Sequence, residues 1–341
     1  MLKYLITGGC GFLGSNIAAH LIRSGEQVVV FDSLYRFGAA QNLMWLRTLG
    51  KFEFEHGDIR SANDVEIMIS AYKPDIIFHL AGQVAMTTSL NNPRLDFEIN
   101  AMGSLNVLES VRRNVPNATV IYSSTNKVYG DFELLPCRDT STRYELKSYP
   151  QGIPETFPLD FHSPYGCSKG AADQYMLDYH RMFGLNTVVF RHSSMYGGRQ
   201  FSTYDQGWIG WFCSQAYRQR LGKDDKFTVS GNGKQVRDVL HADDMVRLYL
   251  LAADKINDCR GQVFNIGGGV TNSLSILELL GFLEKEFECK LSYTHIEVRA
   301  SDQKVFIADI RKAQQLLKWS PDIKWKTGLR RMISWVKEND Q

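Results

Sequence analysis

The sequence predicts an α/β protein built on a doubly wound parallel sheet, with a smaller mixed α/β lobe. Short apolar runs alternate with longer amphipathic ones through the first half of the chain. Runs such as "VVVF" at 28–31 and "DIIF" at 75–78 carry no polar face, as expected of strands covered on both sides. A glycine-rich turn follows the first apolar run of the chain, at 2–7.

Taken in order, "LKYLITGG" reads as a strand and 12–24 as a helix. "QVVVFD" is a strand ending at Asp32, and "KFEFEHGD" alternates up to Asp58. A helix over 61–72 precedes the strand "PDIIFHLAG", and a long helix is expected over 94–114. The strand "ATVIYSS", a helix over 162–183 and the strand "NTVVFRHS" complete the alternation. Residues 131–160, rich in Pro, Glu, Ser and Thr, read as a long loop. The pattern predicts interleaved domains: 1–193 with about 235–267 for the sheet, and about 194–234 with 268–341 for the second lobe.

The 341 residues suffice for a large core, and 44% hydrophobic against 22% charged is ordinary for a globular protein. A net charge of +2 argues against nucleic acid or an anionic membrane as partner. No apolar run reaches the ~20 residues of a membrane span. The first strand begins at Leu2, leaving no room for a signal peptide, so a cytoplasmic location is expected. The six cysteines form no C-x-x-C pair and have no histidine cluster beside them. Reduced thiols and no metal site are expected.

"TGGCGFLG" places Gly8, Gly11 and Gly14 after a strand and at a helix start. Such a loop lets backbone approach a pyrophosphate and aims a helix N-terminus, here Phe12 and Leu13, at it. Asp32 lies 18 residues beyond Gly14. Its carboxylate suits adenosine ribose hydroxyls and repels a 2′-phosphate, so NAD is predicted over NADP. Asp58 and Ile59 end the third strand, where an adenine amine fits, although a plain polar loop explains Asp58 equally well.

Tyr165 and Lys169, in "SPYGCSKG", stand one helical turn apart. An ammonium and a cationic nicotinamide ring would favour the phenolate and lower the tyrosine's pKa from about 10. Cys167 between them reads as a packing residue. The strand about 40 residues upstream ends in "SSTNKVYG".

Together with "HLAG" at 79–82 and Asn100, these motifs resemble the extended short-chain dehydrogenase/reductases, in the branch that modifies nucleotide-sugars. The resemblance spans the chain, through "RHSSMYGGRQ" at 191–200, "GNGKQVRDVLHADD" at 231–244, "FNIGGG" at 264–269 and Arg299 near Asp302. "GQVAMTTS", "SSTNKVYGD" and "DFHSPYGCSKGAADQYMLDY" are similar to the subgroup that epimerises CDP-sugars of the CDP-paratose type at C2. The resemblance implies a Rossmann-like fold, bound NAD and a CDP-sugar substrate. It implies Tyr165 as base and acid, Lys169 as its tuner and ribose ligand, and Thr125 as the hydrogen-bonding hydroxyl. Leu80, Ala81, Ser123 and Asn100 would line or support the cofactor site. Gln83, Asn126, Lys127, Ser194, Arg199, Arg237 and Arg299 would meet the substrate, the arginines on its phosphates. Many relatives carry Asn at the position of Ser194 and Pro at that of Gly198, so the phosphate turn here departs from the pattern. Homo-oligomerisation through 94–114 and 162–183 is implied by analogy.

Nucleotide-sugar 4,6-dehydratases carry Asp-Glu where this chain has Asn126-Lys127. Eliminating water from C5 and C6 needs an acid and a base beyond the tyrosine. An amide and an ammonium supply neither, which argues against dehydration. The C2 hydrogen of a sugar is not acidic. Epimerisation there needs oxidation at C2 with hydride return to the other face, the favoured route, or oxidation at C3 with exchange at C2. A nucleotide-sugar 4-epimerase is the enzymatic alternative, and a non-enzymatic NAD sensor a remote one.

Overall fold

A computed structural model describes residues 2–223, 226–298 and 302–339. Its centre is a seven-stranded, all-parallel sheet. From one edge to the other the strands are Gln262–Ile266, Asn186–His192, Thr119–Thr125, Ile76–His79, Lys3–Thr7, Gln27–Asp32 and Glu53–His56. Strand order reverses between Lys3–Thr7 and Ile76–His79, which opens a crevice at their carboxyl ends.

The inner strands are largely apolar because both faces are packed. Ile6, Val30, Phe78 and Phe190 face one core, shared with helices Phe12–Arg23 and Ala242–Asp254. Their neighbours Leu5, Val29, Ile77 and Val189 face the other, shared with Ala62–Tyr72, Gly103–Asn114 and Ser163–Phe183. Ser61 caps Ala62–Tyr72 by accepting from the Asp64 N–H at 3.2 Å. Pro164 stands in the first turn of Ser163–Phe183, and Gly184 ends that helix at φ +72°.

Several elements differ from expectation. The helix expected over 94–114 is three pieces: Pro93–Phe97, a wide π turn over Glu98–Met102, and Gly103–Asn114. The turn accommodates one extra residue in an apolar-periodic stretch that reads as uninterrupted. The third strand ends at His56, short of the expected Asp58 and Ile59, and a Cβ on Gly103 would come within 2.7 Å of Ile59, so glycine lets this helix press on the loop after that strand. The loop expected over 131–160 is packed structure. It carries the hairpin Cys137–Asp139 and Tyr144–Leu146, and its Ile153 joins Tyr129, Phe306 and Ala308 in a buried cluster.

A second sheet pairs Val236–His241 with Ser194–Tyr196, Ser273–Ser275 and Val305–Phe306. Phe227–Ser230 pairs with Tyr293–Ile296 beside it. Thus the 235–267 segment contributes its strand Gln262–Ile266 to the central sheet and its strand Val236–His241 to the small one. Among the described residues no helix is long and apolar enough to cross a membrane.

Candidate active site

The glycine turn is required by close contacts. Gly8 has φ +68°, and a Cβ there would lie 2.7 Å from the Ala81 amide nitrogen. A Cβ on Gly14 would lie 2.3 Å from the Gly8 carbonyl oxygen. Gly11 donates to that carbonyl at 3.0 Å and begins the helix Phe12–Arg23 with no side-chain cap. The first-turn amides, including those of Phe12 and Leu13, have no intrahelical acceptor, and the dipole favours an anion there. Leu13 itself points into the core, so only its backbone serves the turn. Leu80 and Ala81 close the crevice from the neighbouring strand, their amides held by the Thr7 hydroxyl at 3.2 and 3.3 Å.

Asp32 is nearly buried. Its two oxygens accept from the Cys10 and Leu34 amides, each at 2.8 Å, and burial pushes the carboxyl's pKa up. A carboxylate offers about four acceptor sites, so two are left for a diol. Asp58 is spent differently: it grips Arg60 through a 2.6 Å ion pair. Ile59 is buried under Gly103.

Strand Thr119–Thr125 delivers the hydroxyls and helix Ser163–Phe183 delivers Tyr165 and Lys169 to the same point. The Thr125 hydroxyl accepts the Lys127 N–H at 3.2 Å and lies close enough to the Tyr165 phenol to favour its phenolate. Lys169 is buried; its ammonium donates to the Ser123 carbonyl and lies 4.3 Å from the Tyr122 ring centroid. The Ser123 hydroxyl lies beside Tyr249. Burial pulls the Lys169 pKa down to about 7 and pushes the Tyr165 phenol up to about 12, against the help of Thr125. The expected lowering includes a positive nicotinamide ring, which these protein groups do not supply. Lys169 is turned to the Ser123 carbonyl, and the site's protein charges alone do not stabilise a phenolate. Cys167 is exposed, with its thiol 3.4 Å from the Phe161 carbonyl, so it is no packing residue.

The π turn aims Asn100 inward. Its side-chain N–H groups reach the Gln83 carbonyl at 3.1 Å and the Ser168 hydroxyl at 3.0 Å, and its oxygen accepts the Gln83 N–H at 2.9 Å. Gln83, expected on the substrate, is turned into its own loop: it donates to the Ala85 carbonyl at 2.8 Å and to Asp96 at 2.7 Å. Asp96 also accepts from Ser168, one residue before Lys169. This buried carboxylate was not foreseen, although its i, i+4 spacing from Asn100 was a usable signal.

A cationic patch lies beyond Thr125. Arg237 donates to Asp302 at 2.6 Å, and the Lys127 ammonium is 3.7 Å from the same carboxylate oxygen. Burial pulls the Lys127 pKa down to about 8, opposed by Asp302. Asn126 donates to Gln303 at 2.7 Å. Arg299 lies outside the described residues. Ser194 accepts from the Trp208 indole at 3.0 Å. Arg199 does not join this patch: its guanidinium sits 4.3 Å from the Trp45 ring centroid, on the helix Ala39–Arg47. The adjacent Gly198 carbonyl accepts from Asn16, and a Cβ at 198 would meet Trp335 at 3.2 Å.

Beneath the site, Asp173 holds Arg191 through bonds of 2.8 and 2.9 Å and accepts the Ser124 hydroxyl at 2.7 Å. His79 bridges Thr7 and Ser104, and His192 contacts the Tyr249 hydroxyl at 2.8 Å. Burial pulls both histidines down to about 3, so both are neutral scaffold.

Residues 5–332 match the profile of the GDP-mannose 4,6 dehydratase family. The chain belongs to this family. Among its relatives, the CDP-paratose 2-epimerase of Salmonella typhi is 59% identical over 335 residues, covering 98% of this chain and 99% of that one. The UDP-glucose 4-epimerase of Thermotoga maritima, solved with UDP-glucose, superposes with a TM-score of 0.84 at 28% identity over all of both chains. The UDP-glucuronic acid 4-epimerase of Bacillus cereus, solved with UDP-glucuronic acid and NAD, gives 0.84 at 25% identity over 99% of each chain. The fold is that of these extended short-chain dehydrogenase/reductases, as the sequence motifs implied. The family takes its name from a dehydratase, yet this member has Asn126 and Lys127 where dehydration needs carboxylates.

Proposed function

We propose that this protein epimerises a CDP-sugar of the CDP-paratose type at C2, using NAD that it retains through the cycle. The observation that carries the reading is the near end-to-end 59% identity to a CDP-paratose 2-epimerase. The site's chemistry agrees with it: an acid–base tyrosine with a hydroxyl partner, and no second acid–base pair at 126–127.

The residues present fit the dinucleotide. The space that a Cβ would fill at Gly8 and Gly14, the uncapped helix behind Gly11, and the two spare acceptor sites of Asp32 suit its phosphates and ribose. When bound, NAD supplies reversible hydride exchange and a positive ring. Thr125 holds the sugar hydroxyl to be oxidised. Tyr165 takes its proton and later returns it, since the positive ring offsets the burial that holds the phenol protonated here. Lys169 completes the charge balance and reaches the ribose from its place under Ser123. Arg237 anchors the phosphates with the guanidinium fork it now shares with Asp302. The anchor keeps the nucleotide fixed while the sugar presents its other face.

Assembly belongs to the same reading. Phe97 and Met102 on one segment, and Tyr175, Met182 and Phe183 on the other, are exposed apolar groups on the two segments expected to pair copies.

The test is turnover of CDP-paratose in deuterium oxide without added NAD, followed by proton NMR. Conversion to the 2-epimer with protium retained at C2 is expected. Deuterium at C2 would replace the direct route by oxidation at C3. No conversion, even with NAD added, would refute the substrate.

A further inference from the structure

Gln303 is remote in sequence from the catalytic strand and yet spans both ends of the turn that follows Thr125. That turn, the short 3₁₀ segment Asn126–Tyr129, begins with Thr125 as its cap and ends at Gly130, φ +78°. The Gln303 side-chain oxygen accepts from the Asn126 amide at 2.7 Å. Its side-chain N–H donates to the Gly130 carbonyl at 2.6 Å. Gln303 is 1% exposed, so neither bond is replaced by water at small cost. Its own backbone carbonyl accepts from Arg237 at 2.8 Å, and its neighbour Asp302 takes the same guanidinium at 2.6 Å.

We propose that Gln303 is a positioning residue for Thr125, linking the nucleotide anchor to the catalytic turn. It rests on the reading of Thr125 and Tyr165 as the reacting pair. The amide polarity decides the argument. Because Gln303 presents an acceptor to position 126, Asn126 must turn its N–H₂ outward, and its oxygen is left facing the Thr125 hydroxyl at 3.5 Å. An ionised carboxylate at 126 would oppose the Gln303 oxygen. Flipping the Gln303 amide would then set its oxygen against the Gly130 carbonyl. The clamp therefore accepts asparagine and rejects the ionised aspartate that dehydration employs at this place. Arg237, while shared between the Gln303 carbonyl and Asp302, is the link through which phosphate binding tightens or shifts the turn.

Gln303→Glu provides a test that a bulk structural role does not mimic. A protonated carboxylic acid is isosteric with the amide: its carbonyl accepts from Asn126 and its hydroxyl donates to Gly130. Once ionised it has only acceptors. The expected result is a kcat close to the parent's at low pH that falls about tenfold to a hundredfold as pH rises. KM should change less than kcat, and cofactor content should hold. Gln303→Met should lose a similar factor at every pH. Hydrogen exchange of the Lys127 amide, which bonds Thr125, should accelerate about tenfold or more in the methionine variant of the holoenzyme. A flat pH profile for Gln303→Glu at parental rate would overturn the proposal. So would unchanged exchange at Lys127. If the parent does not turn over CDP-paratose, the proposed function fails, and the exchange measurement, which needs no sugar, still decides the clamp.

Discussion

Replacing Asp173 by Asn should lower the melting temperature by several degrees. Asp173 and Arg191 are an ion pair with side-chain exposures of 0% and 3%, so solvent screening does not weaken their interaction. Asn keeps one oxygen for the guanidinium but turns an N–H₂ toward a donor that Asp173 now accepts at 2.8 or 2.9 Å. The Ser124 hydroxyl also loses a charged acceptor at 2.7 Å. Removing one partner of such a buried pair costs about 3–5 kcal/mol. With about 2.1 cal/mol/K per residue, the 341 residues give an unfolding entropy near 0.7 kcal/mol/K. The quotient is a fall of roughly 4–7 °C. Calorimetry of parent and variant at equal cofactor occupancy measures it. Asp173→Asn/Arg191→Met removes both charges and should recover much of the loss. A single variant that melts within 1 °C of the parent would refute the reasoning, because the pair would then be compensated by something other than its own bonds.

Tyr165→Phe should reduce kcat by about 10²–10⁴ while leaving bound NAD in place, read by turnover and cofactor absorbance; a loss below tenfold would remove the tyrosine from the acid–base role. Cofactor-free protein should gain stability as pH rises from about 7, the folded pKa of Lys169, toward ~10.4, its unfolded value. The unfolded chain binds the extra proton across that window, so the slope is positive, and Lys169→Met should reduce it in melting curves taken across the range, leaving the part that Lys127 adds above about 8. Gly14→Ala should expel the cofactor, since its Cβ would meet the Gly8 carbonyl at 2.3 Å; variant protein that purifies with parental NAD content would contradict the close-packed turn.

Much of this architecture was legible because its signals are local. Strand runs without a polar face announce a sheet covered twice, and the contacts of Leu5 and Ile6 with opposite cores are the direct cause. Gly8, Gly14 and Asp32 were legible because steric and acceptor requirements fall within one strand–turn–helix unit. The misreadings are of a different kind. Arg199 was grouped with the phosphate anchors by residue type, but its partner, Trp45, is 154 positions away in the chain. Gln83 looked like a substrate ligand because nothing beside it reveals that Asp96 takes its amide. That Lys169 donates to the Ser123 carbonyl likewise has no sequence signature. Gln303, joined to Asn126 across 177 positions, was beyond any pattern of spacing.

The wide turn at Glu98–Met102 acts as a spacer of one residue in the helical register. An α-helix advances about 100° per residue, so deleting a single position there would restore regular winding and rotate everything before it by about that angle. Asp96 would swing away from Ser168, and the loop that Gln83 braces would lose its footing. Length within these five residues is therefore constrained, as is the identity of Asn100. A change of one residue in the length of this segment is thus transmitted to the loop beside the catalytic helix.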